Sequence, residues 1–328
     1  MSDSKPLRVI LGLMVLGPPD VPGARFTGLD NITAAFDIFQ EHGHTEIDTA
    51  RLYLGGKQEA FTREAGWKER GLRVATKSYP ITPGLHAPEI LAATVETSLA
   101  ELGTDYVDIF YLHAPDRSIP FEPTLEAVDK LYRAGKFKRL GLSNYTAFEV
   151  AEIAMTCAHR GFVRPRCTRA VQSSVRNIED ELIPACRRYG LAIDAYSPTG
   201  GGSGRHHHER RRGPQGGSYF RHGIVEGASI IRDAAAKAGI PPLEVALRWI
   251  RHHSQLSGDH GDGVVLGFSK LQQLSDNLDA LEKGPLDSEL LEALEAAWRV
   301  AKQDADHYWQ MPMEYGYDTQ EVLFGKAA

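Results

Sequence analysis

The chain has 328 residues, with 37 Lys and Arg against 43 Asp and Glu and a formal net charge of −6. That balance offers no basic surplus for a nucleic-acid backbone, and 42% apolar with 24% charged residues exclude a collagenous, fibrous or disordered chain. Three scattered cysteines, Cys157, Cys167 and Cys186, make neither a disulfide framework nor a zinc cluster and fit a reducing, cytoplasmic setting.

The first apolar run, Arg8 to Leu13, is read as a strand, because Gly12, Gly17, Pro18 and Pro19 interrupt the region before it reaches membrane-spanning length. Ile32, Ala35, Phe36 and Phe39 then recur at helical offsets and make one apolar face. Thr45 to Asp48 is the second strand, Gln58 to Trp67 a helix, and Arg73 to Thr76 the third strand. Leu91, Val95, Leu99 and Leu102 mark the next helix, and Val107 to Leu112 is unbroken apolar text, as a parallel strand covered on both faces requires. A helix around Leu125 to Tyr132, a strand from Arg139 to Ser143 and a helix from Ala147 to Cys157 follow. After a doubtful sixth strand near 165–175 come helix Ile178 to Arg188 and strand Leu191 to Tyr196. The last unit is Gly263 to Gly267, followed by Leu271, Leu274, Leu278 and Leu281. Eight strand–helix units in this length predict an α/β fold, a (β/α)8 TIM barrel, as one domain over 1–328.

Two segments break the rhythm. Arg164 to Arg176 (RPRCTRAVQSSVR) carries four arginines where the sixth strand belongs, which makes it a poor central strand. From Gly200 the text GGGSGRHHHERRRGPQGGS has no apolar period and reads as a long surface loop after strand seven. His206, His207 and His208 are adjacent and cannot all face one ion, so no metal site is expected there.

The reactive face of a parallel barrel is formed by the C-terminal ends of its strands. Asp48 ends the second strand, Tyr53 lies five residues on, Lys77 follows the third strand and His113 ends the fourth. Singly, each has an ordinary structural explanation; together on one rim they suit proton donation to an oxygen that gains negative charge. Lys77 beside Tyr53 would stabilise phenolate and lower the tyrosine pKa, Asp48 would hold the ammonium, and His113 would hydrogen-bond the substrate oxygen. None of them is a hydride source, so a reduction would need a bound nicotinamide.

These elements resemble the aldo-keto reductases, and within them the aflatoxin-aldehyde reductase branch and its fungal members. The resemblance rests on EIDTARLYLGGKQEAF (46–61), RVATK (73–77), LGTDYVDIFYLHAPDRSIPFEPTLEAV (102–128), GKFKRLGLSNYTAFEVAEI (135–153), ELIPACRRYGL (181–191), EVALRWIRHHSQL and GDGVVLGFSKLQQLSDNL, and the tail WQMPMEYGYDTQEVLFGK. It implies NADPH-dependent reduction of aldehydes, and possible action on ketones, with Tyr53 as acid and residues 303–328 as a tail over the active-site face. By the same resemblance Met14 and Asp48 line the cofactor, and Ser143 and Asn144 bind its carboxamide. Ser197 and Pro198 belong to the turn after strand seven, while Ser269, Gln273 and Asn277 contact the adenosine and its 2′-phosphate. A small aldehyde is the implied partner, with no nucleic acid or membrane; dimers, common in the branch, are implied only by analogy. No G-x-G-x-x-G follows the first strand, so a Rossmann fingerprint is absent.

The chain departs from the branch at two places. Where relatives read V-Y-Q-A-M-Y-N, with a glutamine that pairs with the carboxamide, it has CTRAVQS, and codons for Val-Tyr-Gln read one base late begin Cys-Thr-Arg. The loop after Tyr196 and Pro198 lacks the branch's apolar anchor and pyrophosphate lysine, a role Arg210 to Arg212 could take over. Segments 166–175 and 200–218 therefore read as frame errors or lesions in a once intact reductase, which implies weak NADPH binding and low thermal stability. Two alternatives follow: a nicotinamide-binding regulatory subunit without turnover, and a Schiff-base lyase using Lys77.

Overall fold

The computed structural model describes residues 5–171, 176–200 and 221–325. Eight parallel strands close into a barrel: β1 Arg8–Gly12, β2 Glu46–Asp48, β3 Arg73–Ser78, β4 Val107–Leu112, β5 Phe137–Ser143, β6 Pro165–Val171, β7 Ala192–Tyr196 and β8 Gly263–Leu266. Each pairs with its neighbours in chain order, and β8 returns to β1 through Arg8 opposite Gly263 and Leu11 opposite Leu266. The helices are α1 Leu29–Glu41, α2 Gln58–Glu64, α3 Pro88–Leu102, α4 Phe121–Arg133, α5 Ala147–Arg160, α6 Leu182–Tyr189, α7 His222–Ala238, α8 Pro242–His252, α9 Leu271–Glu282, α10 Ser288–Ala301 and α11 Thr319–Phe324.

Periodicity explains how the outer layer docks. In α1 the buried residues are Ile32, Ala35, Phe36 and Phe39, the face expected from their spacing. In α3 they include Leu91, Val95, Leu99 and Leu102, and the helix stops at Gly103, whose φ of 69° is left-handed and open to glycine without strain. Helix α5 starts with a capping box: the Thr146 side chain accepts from the Glu149 amide, and Glu149 Oε2 accepts from the Thr146 amide at 2.9 Å.

The sixth strand corrects the expectation drawn from its arginines. It is hydrogen-bonded on both sides, to β5 through Cys167, Thr168 and Arg169, with a register shift between Leu140 and Gly141, and to β7 from Cys167 to Val171. Arg164 and Arg166 are exposed, so their charge stays in water. Arg169 is buried but pairs with Asp48, and Arg176 pairs with Glu295 while stacking 4.5 Å over the Trp249 ring. The four charges are thus either solvated or neutralised, and the strand forms. Residues 172–175 and 201–220, the latter with the histidine and arginine runs expected to form a surface loop, lie outside the described residues.

Inside the barrel a polar layer lies below the mouth formed by the C-terminal strand ends. Arg8 contacts Glu46 at 2.6 Å and Asp194 at 2.5 Å, and the Tyr111 hydroxyl donates to Asp194 Oδ2 at 2.5 Å. At the opposite end the C-terminal segment is clamped by Arg117, whose Nη1 donates to the carbonyls of Gln310, Met311 and Pro312 at 3.0, 2.9 and 3.0 Å. Arg117 is itself held by Glu149 at 2.7 and 2.9 Å.

Candidate active site

The end of β2 and the end of β3 bring two opposite charges together. Lys77 Nζ donates to Asp48 Oδ2 at 2.8 Å, to the Thr49 carbonyl at 2.5 Å and to Tyr53 Oη at 3.0 Å. All three ammonium hydrogens therefore have acceptors, in a site where Asp48 and Lys77 are 2% and 1% exposed. Tyr53 begins a short 3-10 turn, Tyr53–Gly56, after β2; its ring also lies 4.5 Å from Lys77 Nζ. Since the phenol oxygen accepts from Lys77, its own O–H is left to donate elsewhere.

His113 follows β4 with its ring edge-on to Tyr53 at 5.9 Å and to Tyr79 at 5.2 Å. Burial, with Lys77, Arg169 and His86 adding repulsion, holds its pKa well below the ordinary histidine range, so the ring is neutral. Its Nδ1 is buried without a hydrogen-bond partner among the described residues. The four residues predicted from their strand ends are therefore assembled at one mouth.

The electrostatics differ from the sequence expectation in one respect. Burial first, and Asp48 second, push the Tyr53 pKa up, and the opposing pull of Arg169 is smaller. A buried phenol beside a carboxylate keeps its proton, so Tyr53 rests protonated rather than ionised. Lys77 is driven down to about 7 by burial, with Asp48 opposing and Arg169 adding to the shift.

Arg169, Gln310 and Tyr79, missed from sequence, complete this mouth. Arg169, 4% exposed on β6, places Nη1 2.6 Å from Asp48 Oδ1, an ionic contact without hydrogen-bond alignment. Its guanidinium stacks 4.6 Å over the Tyr111 ring. Gln310 Oε1 accepts from the Tyr79 hydroxyl at 3.2 Å, and Gln310 Nε2 reaches Tyr196 Oη at 3.4 Å. Alternation along CTRAV marks Arg169 and Cys167 as sharing a strand face, but nothing local says that this face meets Asp48.

The remaining predicted residues fall in two groups. Ser143 and Asn144 close β5, both buried; Asn144, at a left-handed φ of 65°, donates through Nδ2 to the His113 carbonyl at 2.8 Å and accepts from Tyr196 Oη at 2.8 Å. Ser197 (φ 55°) and buried Pro198 follow β7, and Met14, 53% exposed, follows β1. Away from them, Gln273 Oε1 accepts from the Ser269 amide and hydroxyl at 3.1 and 3.2 Å, and Asn277 sits one helical turn further, buried. Helix α9 begins there behind Lys270 with no side chain capping its first amides. A free helix N-terminus next to a lysine suits a phosphate, and the orphaned His113 Nδ1 and Arg169 Nε and Nη2 suit a polar ligand in the mouth.

A barrel whose mouth gathers a buried phenol, a lysine–carboxylate pair and a neutral imidazole has the make-up of an enzyme site. The model of the aldo/keto reductase family matches residues 8–299 of this sequence. An aldo-keto reductase of Pseudocercospora fijiensis is 41% identical over 293 residues, covering 83% of this chain and 99% of its own. Aflatoxin B1 aldehyde reductase member 4 of Homo sapiens is 37% identical over 334 residues, covering 94% and 98%. An aldo-keto reductase from Klebsiella pneumoniae, solved in complex with NADPH, superposes with a TM-score of 0.69 at 25% identity, covering 90% of this chain and 96% of that one. The chain belongs to the aldo/keto reductase family.

Proposed function

We propose that the protein reduces aldehydes to alcohols with NADPH and that Tyr53 supplies the proton. The observation that carries this reading is the hydrogen bond from Lys77 to Tyr53 at 3.0 Å, which leaves the phenol proton free to be given away. The Klebsiella relative's NADPH complex and the human relative's name support the cofactor and the substrate class. Ser143 and Asn144 would hold one end of the coenzyme, and Ser269, Gln273 and Asn277 the other. A nicotinamide held there would supply the hydride.

The chain's own residues do the rest. His113 is neutral and hydrogen-bonds the carbonyl oxygen, fixing its approach to Tyr53. As that oxygen gains charge, Tyr53 Oη–H transfers its proton, and the phenolate left behind faces the Lys77 ammonium. Asp48 keeps the ammonium in place. Tyr53 then takes a proton back from water. The lyase alternative fares worse, because Lys77 Nζ is held by Asp48, Thr49 and Tyr53 and is buried behind the phenol, which keeps it from approaching a substrate carbonyl.

Oxidation of NADPH with 4-nitrobenzaldehyde, followed by isolation of the alcohol, tests the reading. Turnover supports it; tight NADPH binding with no turnover of any aldehyde would point to the regulatory alternative.

A further inference from the structure

Two cations share one carboxylate at the mouth. Lys77 Nζ takes Asp48 Oδ2 at 2.8 Å and Arg169 Nη1 takes Asp48 Oδ1 at 2.6 Å. All three side chains are nearly inaccessible, so water does not screen the imbalance. The other carboxylates that reach this layer are already engaged. Glu59 pairs with Arg51 at 2.7 Å and accepts from Thr76 at 2.5 Å, while Asp194 is held by Arg8 and by the Tyr111 hydroxyl. From β4 the neighbours are His113 and Tyr111, both neutral, and from the turn after β2 the neutral phenol of Tyr53. The cluster therefore carries one positive charge more than Asp48 can balance. Arg169 cannot release a proton at any ordinary pH, since burial is outweighed by the carboxylates of Asp48 and Asp194 in holding it charged. The charge that yields is on Lys77.

We propose that Arg169 is a positioning residue of this site: by taking one oxygen of Asp48 it leaves Lys77 under-compensated, and so sets the pH range in which the Lys77–Tyr53 pair can deliver a proton. The inference rests on the proposed role of Tyr53 for its kinetic consequence, but not for the titration of Lys77 itself. Its direction follows from charge alone. A neighbouring cation disfavours the ammonium, so Lys77 loses its proton near neutrality, in line with a midpoint of about 7. Without the ammonium the Tyr53 phenolate loses its hydrogen-bonded cation and keeps only the weaker pull of Arg169, and reduction slows as pH rises through that midpoint. Removing the Arg169 charge returns Asp48 wholly to Lys77 and moves the slowing to higher pH.

The test is the Cε chemical shift of Lys77 followed against pH in protein carrying 13C-labelled lysine, assigned by its loss in Lys77→Met. The wild type should titrate near neutrality, Arg169→Gln and Arg169→Met should titrate about one to three units higher, and Arg169→Lys should stay with the wild type. The pH–rate profile of aldehyde reduction should move upward with the two neutral variants. A wild-type midpoint above about 9, inside the range of ordinary lysines in folded proteins, overturns the proposal without recourse to any variant. So does an unmoved or lowered midpoint in Arg169→Gln or Arg169→Met. Should the wild type reduce no carbonyl at all, the functional reading fails while the titration still decides the charge relationship.

Discussion

The side-chain amide of Asn144 donates to the main-chain carbonyl of His113 at 2.8 Å, tying the end of β5 to the end of β4. The same side chain accepts from Tyr196 at the end of β7, so one asparagine fixes three strand ends around the mouth. Its φ of 65° lies in the left-handed region. Asn144→Ala should lose these bonds in a strained backbone and lower stability by about 1–3 kcal/mol. Asn144→Gly relieves the backbone only and should recover about 1 kcal/mol of that. Urea unfolding of the three proteins checks the order wild type, Gly, Ala.

Two buried groups in the mouth give stability a pH dependence of definite sign. Lys77 has a folded pKa of about 7 against 10.5 when exposed, so between these values the unfolded chain binds the extra proton and stability rises with pH. His113, lowered well below 6.5, acts likewise at lower pH, and stability falls as pH drops through 6.5. Unfolding free energy measured at pH 6, 7.5 and 9 should increase along the series, and Lys77→Met should flatten the upper step.

The barrel interior has a close approach that only glycine permits. A Cβ at Gly141 would stand 2.3 Å from the ring of Tyr111, which is fully buried and bonded to Asp194. Gly141→Ala must displace that ring, and a cost of about 1–3 kcal/mol is expected. Thermal unfolding read by tyrosine fluorescence or circular dichroism would show it as a lowered midpoint.

Arg117 joins the α5 cap to the C-terminal segment, since Glu149 and three successive carbonyls from Gln310 to Pro312 all accept from it. Arg117→Ala leaves Glu149 buried without its cation, with an expected loss of about 3–5 kcal/mol. Limited proteolysis should then cut near residues 310–316 well before the barrel, whereas the wild type resists there.

Much of this was readable from sequence, and the exceptions share a cause. Helix α1 and strand β4 were legible because their cores are made of large side chains at regular spacing. Helix α7 was not: its contact with α10 uses Gly223 and Gly227, where a Cβ would lie 2.6 Å and 2.8 Å from the carbonyl oxygens of Val300 and Ala297. An interface made by backbone approach leaves no apolar period to read. Asp48, Lys77 and His113 stand out because each lies at or just past a strand end, and Tyr53 because it follows Asp48 by five residues. Arg169 escaped because its partner, Asp48, is on a strand far away in the chain, and an arginine in a strand reads locally as a defect.

The central claim is that Tyr53 gives the proton, and the direct measurement compares wild type with Tyr53→Phe in NADPH-dependent reduction of 4-nitrobenzaldehyde, with NADPH affinity measured on both by fluorescence. The substitution keeps the ring beside Lys77 and His113 and removes only the hydroxyl. Turnover should fall by about two to four orders of magnitude while NADPH affinity stays the same. Near-wild-type turnover in Tyr53→Phe would contradict the account.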